Sequence, residues 1–132
     1  MIRKYQNLKV WEKATQLVLE VYALTNAFPK DEMYGLTSQV RRAAVSIPSN
    51  IAKGSERRSD KDFVRFLRMA SASLAEVETH LFIAMKLNYL EEHAYVQILE
   101  LSAEIGKMIH GLISGLEAKT PSTGDWRLAT GD

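Results

Sequence analysis

The 132-residue chain has no cysteine. A disulfide framework, a thiolate nucleophile and a Cys-built zinc site are therefore excluded. Long apolar runs are missing too. No window approaches the roughly eighteen apolar residues that span a bilayer, and the amino-terminal MIRKYQNLKVWEKA carries charge but no continuous apolar core of the kind a secretion signal needs. A cytoplasmic protein with no membrane partner is expected. Segments with period-two alternation are absent, so no strand is expected. Histidine is sparse and scattered, with His80, His93 and His110 far apart in sequence. Glu76 and His80, four residues apart, could face one ion, but the paired Glu-x-x-His motifs and extra glutamates of di-metal bundles are missing. Glu76 and Glu78 are two residues apart and cannot share a helix face, which leaves a paired-carboxylate acid/base site unsupported. No metal, cofactor or catalytic residue is expected, and the protein reads as a non-enzyme.

What the sequence does hold is helical periodicity. Val10, Ala14, Leu17, Val21, Leu24 and Phe28 recur at intervals of four and three, the spacing of a helix packed along another. Phe28-Pro29 is read as the end of this first helix. Leu36, Val40, Ala43, Ile47 and Ile51 repeat the spacing in a second, with Thr37 as a possible N-cap and a short earlier turn near Glu32 to Tyr34. Ser59-Asp60-Lys61-Asp62 is a capping signal for a third helix, whose seam is Phe63, Leu67, Ala70, Leu74, Val77, Leu81 and Ala84. After a break at Asn88-Tyr89-Leu90, a fourth helix begins near Glu91. Its first stripe is Ile98, Ile105, Ile109, Leu112 and Leu116, and its second is Ala94, Leu101 and Met108. At this length one domain is expected, burying roughly two-thirds of its unfolded surface. The prediction is an all-α, antiparallel up-and-down four-helix bundle over residues 1–118 with a proline-kinked second helix. Residues 119–132, where the composition shifts to Pro, Gly, Thr and Ser, read as a flexible tail in which Trp126 and Leu128 alone have reason to dock.

Net charge is +1, yet its distribution is uneven. From Arg41 to Arg68 there are eight basic residues, Arg41, Arg42, Lys53, Arg57, Arg58, Lys61, Arg65 and Arg68, against Glu56, Asp60 and Asp62. The remainder of the chain is therefore acidic on balance. Such a positive region attracts polyanions or acidic partners whatever the total charge. Within it lies SIPSNIAKGSERRS, which has some look of a phosphate loop. It matches neither G-x-x-x-x-G-K-[ST] nor G-x-G-x-x-G, and no strand precedes it. The reading it supports is a helix end kinked by Pro48, with Ser46, Ser49 and Asn50 as replacement hydrogen-bonding groups and Gly54 as the left-handed residue beyond the helix.

Several ordered motifs carry a family likeness. They are Val10-Trp11, Phe28-Pro29, Glu32 with Tyr34-Gly35-Leu36, Gln39 with Arg41-Arg42-Ala43, Ser46-Ile47-Pro48 with Asn50-Ile51-Ala52 and Gly54, and Ser73-Leu74 with Glu76 and Glu78-Thr79. Over about residues 5–116 the chain resembles the 23S rRNA intervening-sequence proteins, also called four helix bundle proteins, and it is similar to the accessory variability protein of diversity-generating retroelements. Lys53 stands where the family usually has Glu, and Ala72 where it often has Gly. The resemblance implies a cytosolic bundle assembling into a ring, commonly a homopentamer.

Two functions are expected from these readings. In the first, Arg41, Arg42, Lys53, Arg57, Arg58, Lys61, Arg65 and Arg68 form a surface on helices two and three that binds RNA or DNA without reading sequence. Lys61, Arg65 and Arg68 fall on one side of helix three, opposite its seam, and no aromatic is read as interleaved with the cations, so base stacking is not indicated. In the alternative, the protein is a scaffold that engages an unidentified protein through the apolar face of helix four and the tail. A ring is expected in either case, because helix four with its two stripes, together with Trp11 and Tyr22, offers more apolar width than the inner face of a bundle requires.

Overall fold

The computed structural model describes residues 4–119, and the expected tail from residue 120 onward, with Trp126 and Leu128, lies outside them. Four helices occupy most of the chain: α1 (Lys9–Thr25), α2 (Leu36–Ser55), α3 (Asp60–Lys86) and α4 (Glu92–Lys119). Short 3-10 turns at Lys4–Asn7 and Lys30–Glu32 precede α1 and α2, and the described residues contain no strand. The fold is an all-α four-helix bundle. Both α1 and α3 pack against α2 and α4, and the α2–α3 contact is the most extensive. None of the described helices is long and apolar enough to cross a membrane.

The core follows the periodic seams. Ala14, Leu17, Val21, Val40, Ile47, Ile51, Leu67, Ala70, Ala84, Ile105 and Ile109 are fully enclosed. Leu24, Leu112 and Leu116 pack only half-buried at its margin, while Val64, Phe66 and Ile113 are buried beyond what the seams anticipate. Phe66 stands three residues after Phe63 and belongs to the same helical stripe, the signal that could have placed it.

Helix ends show where local chemistry acts. Ser59 caps α3 as anticipated, its Oγ accepting from the Asp62 N–H at 3.1 Å, with Asp60 and Asp62 in the first turn. By contrast Thr37 is a buried residue inside α2, and the cap position is Gly35. Glu32 supplies the missing acceptor, its Oε1 receiving the Leu36 N–H at 3.1 Å. A Cβ on Gly35 would lie 2.8 Å from that same oxygen, so glycine there leaves room for the carboxylate. Oε2 of Glu32 accepts from the Tyr89 hydroxyl at 2.9 Å, and the Tyr89 ring stacks at 5.6 Å on Phe28. One carboxylate thus ties the start of α2 to the α3–α4 connection. Its hydrogen bond, followed by partial burial, raises the Tyr89 phenol above its ordinary pKa.

One connection departs from expectation and another follows it. The first helix ends at Thr25, three residues before Phe28. Thr25 Oγ1 donates to the Val21 carbonyl at 2.8 Å, which gives the buried hydroxyl a partner at the helix end. At the end of α3, Asn88 rather than glycine takes the left-handed conformation, φ 64°. The Tyr89 N–H then reaches Ala84 O and the Asn88 N–H reaches Met85 O, both at 2.9 Å, which closes the helix with the paired 6→1 and 5→2 bonds of a Schellman motif.

The stretch around Pro48 is helix throughout. Pro48 has no N–H to offer the Ala44 carbonyl, yet α2 continues to Ser55. Asn50 does not repair that loss. Its amide donates to the carbonyl and hydroxyl of Ser46, both at 2.9 Å, and Ser46 shares a 2.8 Å hydrogen bond with Ser73 of α3. Gly54 is likewise not a left-handed terminus, because it lies within α2. A Cβ at Gly54 would stand 2.8 Å from both Phe63 Cδ1 and Phe66 Cβ. Glycine is needed here for close approach of α3 to α2, not for a turn.

Candidate nucleic-acid interface

The fold distributes the eight cations over three short segments. Arg41, Arg42 and Lys53 are on α2, Arg57 and Arg58 occupy the turn at residues 56–59, and Lys61, Arg65 and Arg68 are on α3. Arg42 and Lys53 are eleven residues apart, close to three helical turns, so they project to one side. They border an open groove with Tyr22, Val45 and Ser49. Lys53 also meets Arg57 in a second hollow lined by Tyr5, Ala52 and Glu56. From Arg57 the track passes to α3 through an aromatic ring. The Arg57 guanidinium lies 4.7 Å and the Arg65 guanidinium 4.5 Å from the centroid of Phe66.

This contact corrects the reading that no aromatic is interleaved with the cations. Phe66 sits among them, and Tyr22 has the Arg41 guanidinium 4.5 Å from its ring centroid. Sequence separation hid the Arg57 pairing, since eight residues and a helix junction intervene. Phe66 is only 6% exposed. Its ring is a support for guanidinium groups and offers no open face to a base.

Two residues of the predicted site, Arg41, which also lines the Arg42–Lys53 groove, and Arg68, are engaged with other helices. Arg41 donates from Nε to Thr25 Oγ1 at 2.8 Å and from a terminal nitrogen to Asn26 Oδ1 at 3.2 Å, holding α2 to the end of α1. Its positive charge there also opposes the negative end of the α1 dipole. Arg68 pairs across the bundle with Glu117 of α4 at 3.0 Å, with both side chains more than half exposed. That exposure leaves the pair worth little to stability. Arg65 contacts Asp62 at 3.4 Å. Arg42, Lys53, Arg58 and Lys61 are exposed and have no ion-pair partner among the described residues.

Other polar groups pair along and between helices. Glu76 Oε2 and His80 Nε2 meet at 3.3 Å, and the described residues contain no group of three or more metal-binding side chains. Glu78 accepts a hydrogen bond from the buried Ser102 hydroxyl. Burial, and secondarily the Glu78 charge, raise the Tyr95 phenol above its usual pKa. Glu78 thereby ties α3 to α4. The sequence offered no periodic signal for its contacts, since Ser102 and Tyr95 lie far along the chain from it, on the next helix.

A small all-helical bundle with a cationic α2–α3 edge is the class that these observations define. The family model for 23S rRNA-intervening sequence proteins matches residues 6–111, and the chain belongs to that family. A crystal structure of a protein of unknown function from the S23 ribosomal protein family of Bacteroides thetaiotaomicron is similar in fold. It has a TM-score of 0.71 at 24% identity, with 79% of this chain and 97% of that one covered. No curated protein sequence matches.

Proposed function

We propose that the protein is a non-enzymatic, cytoplasmic homo-oligomer that binds RNA or DNA through phosphate contacts along the α2–α3 edge. The observation that carries this reading is the continuity of the track. Arg42 and Lys53 share one groove, Lys53 and Arg57 a second, and Arg57 and Arg65 a single ring. Cations spaced along an edge, two of them over the buried Phe66 ring, favour phosphate over base contact. Arg58, Lys61 and Arg68 extend the field around the track, and Arg41 contributes mainly to the α1–α2 junction. Glu56, Asp60 and Asp62 are interleaved with the cations. Binding by a single subunit is accordingly expected to be weak, on the order of the 10⁻⁴ to 10⁻⁶ M common for non-specific contacts at physiological salt.

The test is competition among unrelated sequences. Labelled single-stranded RNA bound at low salt should be displaced with similar potency by unlabelled RNAs of different base composition. A strong preference for one sequence would show base readout and contradict the proposal.

A ring places several copies of the edge within reach of one polymer, and linked weak sites gain avidity when geometry lets them engage together. Family resemblance alone suggests five subunits. In this arrangement the helices alternate up and down and α2 bends at Pro48 to shape the subunit surface. Trp11 is half-buried, packed on the core and tilted against Tyr5 at 5.3 Å, whereas Tyr22 stays exposed beside Arg41. Phe82, Ile83, Leu87 and Val96 add exposed apolar side chains on α3, its C-terminal end and α4, and Phe82 meets Tyr95 at 6.1 Å across the α3–α4 contact. Light scattering at micromolar concentration should give a mass several times the 14.9 kDa of one chain, and a Phe82→Glu change should lower it. A monomeric wild type would contradict the assembly.

A further inference from the structure

We infer that Arg57 and Arg65 form a two-guanidinium phosphate clamp held open by Phe66, so that this phenylalanine is a positioning residue for nucleic-acid binding. The inference rests on the reading of the α2–α3 edge as a phosphate-binding surface and names the element that sets its geometry. Both guanidinium carbons lie within 4.7 Å of one ring centroid, so they are no more than about 9 Å apart. That range allows them to share one phosphate or to take two neighbouring ones.

An exposed arginine ordinarily samples many rotamers, and binding must freeze them. Phe66 removes part of that cost. The ring is itself fixed, because its residue is 6% exposed and its Cβ abuts the α2 backbone at Gly54. A guanidinium held over a ring still has N–H donors to offer a ligand. Arg65 contacts a carboxylate through Nε, which lies 3.4 Å from Asp62 Oδ1, and this leaves its terminal nitrogens outside that contact. Asp62, Asp60 and Glu56 are the acidic groups in these segments, and they limit the positive field around the clamp. Arg57 and Arg65 retain exposed side chains despite the stacking.

The experiment compares wild type with Phe66→Leu and with the double change R57K/R65K, by fluorescence anisotropy of a labelled twenty-nucleotide RNA at one low salt concentration. Neither variant alters net charge. Lysine keeps the charge but lacks both the planar stack and the forked donor set. Each variant is expected to bind about tenfold more weakly, as the lost ordering of two side chains implies. R57K/R65K lies on the surface and should keep the wild-type helical signal and melting behaviour, which keeps the test decisive if Phe66→Leu is destabilised. Wild-type binding that R57K/R65K leaves unchanged would overturn the clamp while sparing the phosphate-binding edge. No wild-type binding at low salt would overturn both.

Discussion

A Gly54→Val variant is expected to lose about 3 kcal/mol of stability, at the upper end of the usual cost of overpacking a filled site. The reason is geometric. A Cβ at this position meets Phe63 Cδ1 and Phe66 Cβ at 2.8 Å, and the second of these atoms is fixed to the α3 backbone and cannot swing aside. Relief therefore requires α2 and α3 to separate along the bundle's most extensive contact. Thermal unfolding should show a fall in Tm of about 10 °C, taking a few degrees per kcal/mol for a domain of this size. Gly54→Ala should fall between wild type and Val. A Val variant as stable as wild type would show that this close approach has no energetic consequence.

A second large effect is expected from Glu32→Ala, at about 2–3 kcal/mol. The change removes an acceptor for the Leu36 N–H at the start of α2 and the partner of the Tyr89 hydroxyl. Loss of a helix cap costs roughly 1 kcal/mol, and a hydrogen bond to a charged group contributes about 1.5–3 kcal/mol. Exposure of the site places the sum toward the lower part of that range. A double-mutant cycle with Tyr89→Phe, followed by urea denaturation, separates the two roles. Coupling near 1 kcal/mol between the residues is expected, with the remainder assigned to the cap. Zero coupling would remove the tie between the α2 start and the α3–α4 connection.

Much of the fold was legible because burial and helical period coincide. The α3 seam from Phe63 to Ala84 is wholly buried, and the Ser59 cap acts through residues three apart, a local interaction that sequence displays directly. Gly54 shows where such reading fails. Glycine near a helix end is consistent with a left-handed terminus or with close helix approach, and only the position of Phe63 and Phe66 across the junction decides between them. Thr37 fails similarly, because Glu32 reaches forward from the preceding turn to do the capping. In the candidate interface, sequence identified the cations but not their arrangement. Arg41 and Arg68 are drawn to α1 and α4, whereas Arg57 and Arg65 converge on Phe66. Those are tertiary pairings with no fixed spacing.

The salt dependence of RNA binding tests the central claim most directly. Wild-type affinity for single-stranded RNA should fall linearly on a log-log plot against salt, with a slope of roughly −0.7 for each phosphate contacted. Arg42, Lys53 and Lys61 have no ion-pair partner among the described residues, so changing all three to Ala should leave the helical content intact. The account predicts weaker binding and a shallower slope for that variant, equally for two RNAs of unrelated sequence. Absence of wild-type binding at low salt, or a slope that the triple change does not alter, would contradict it.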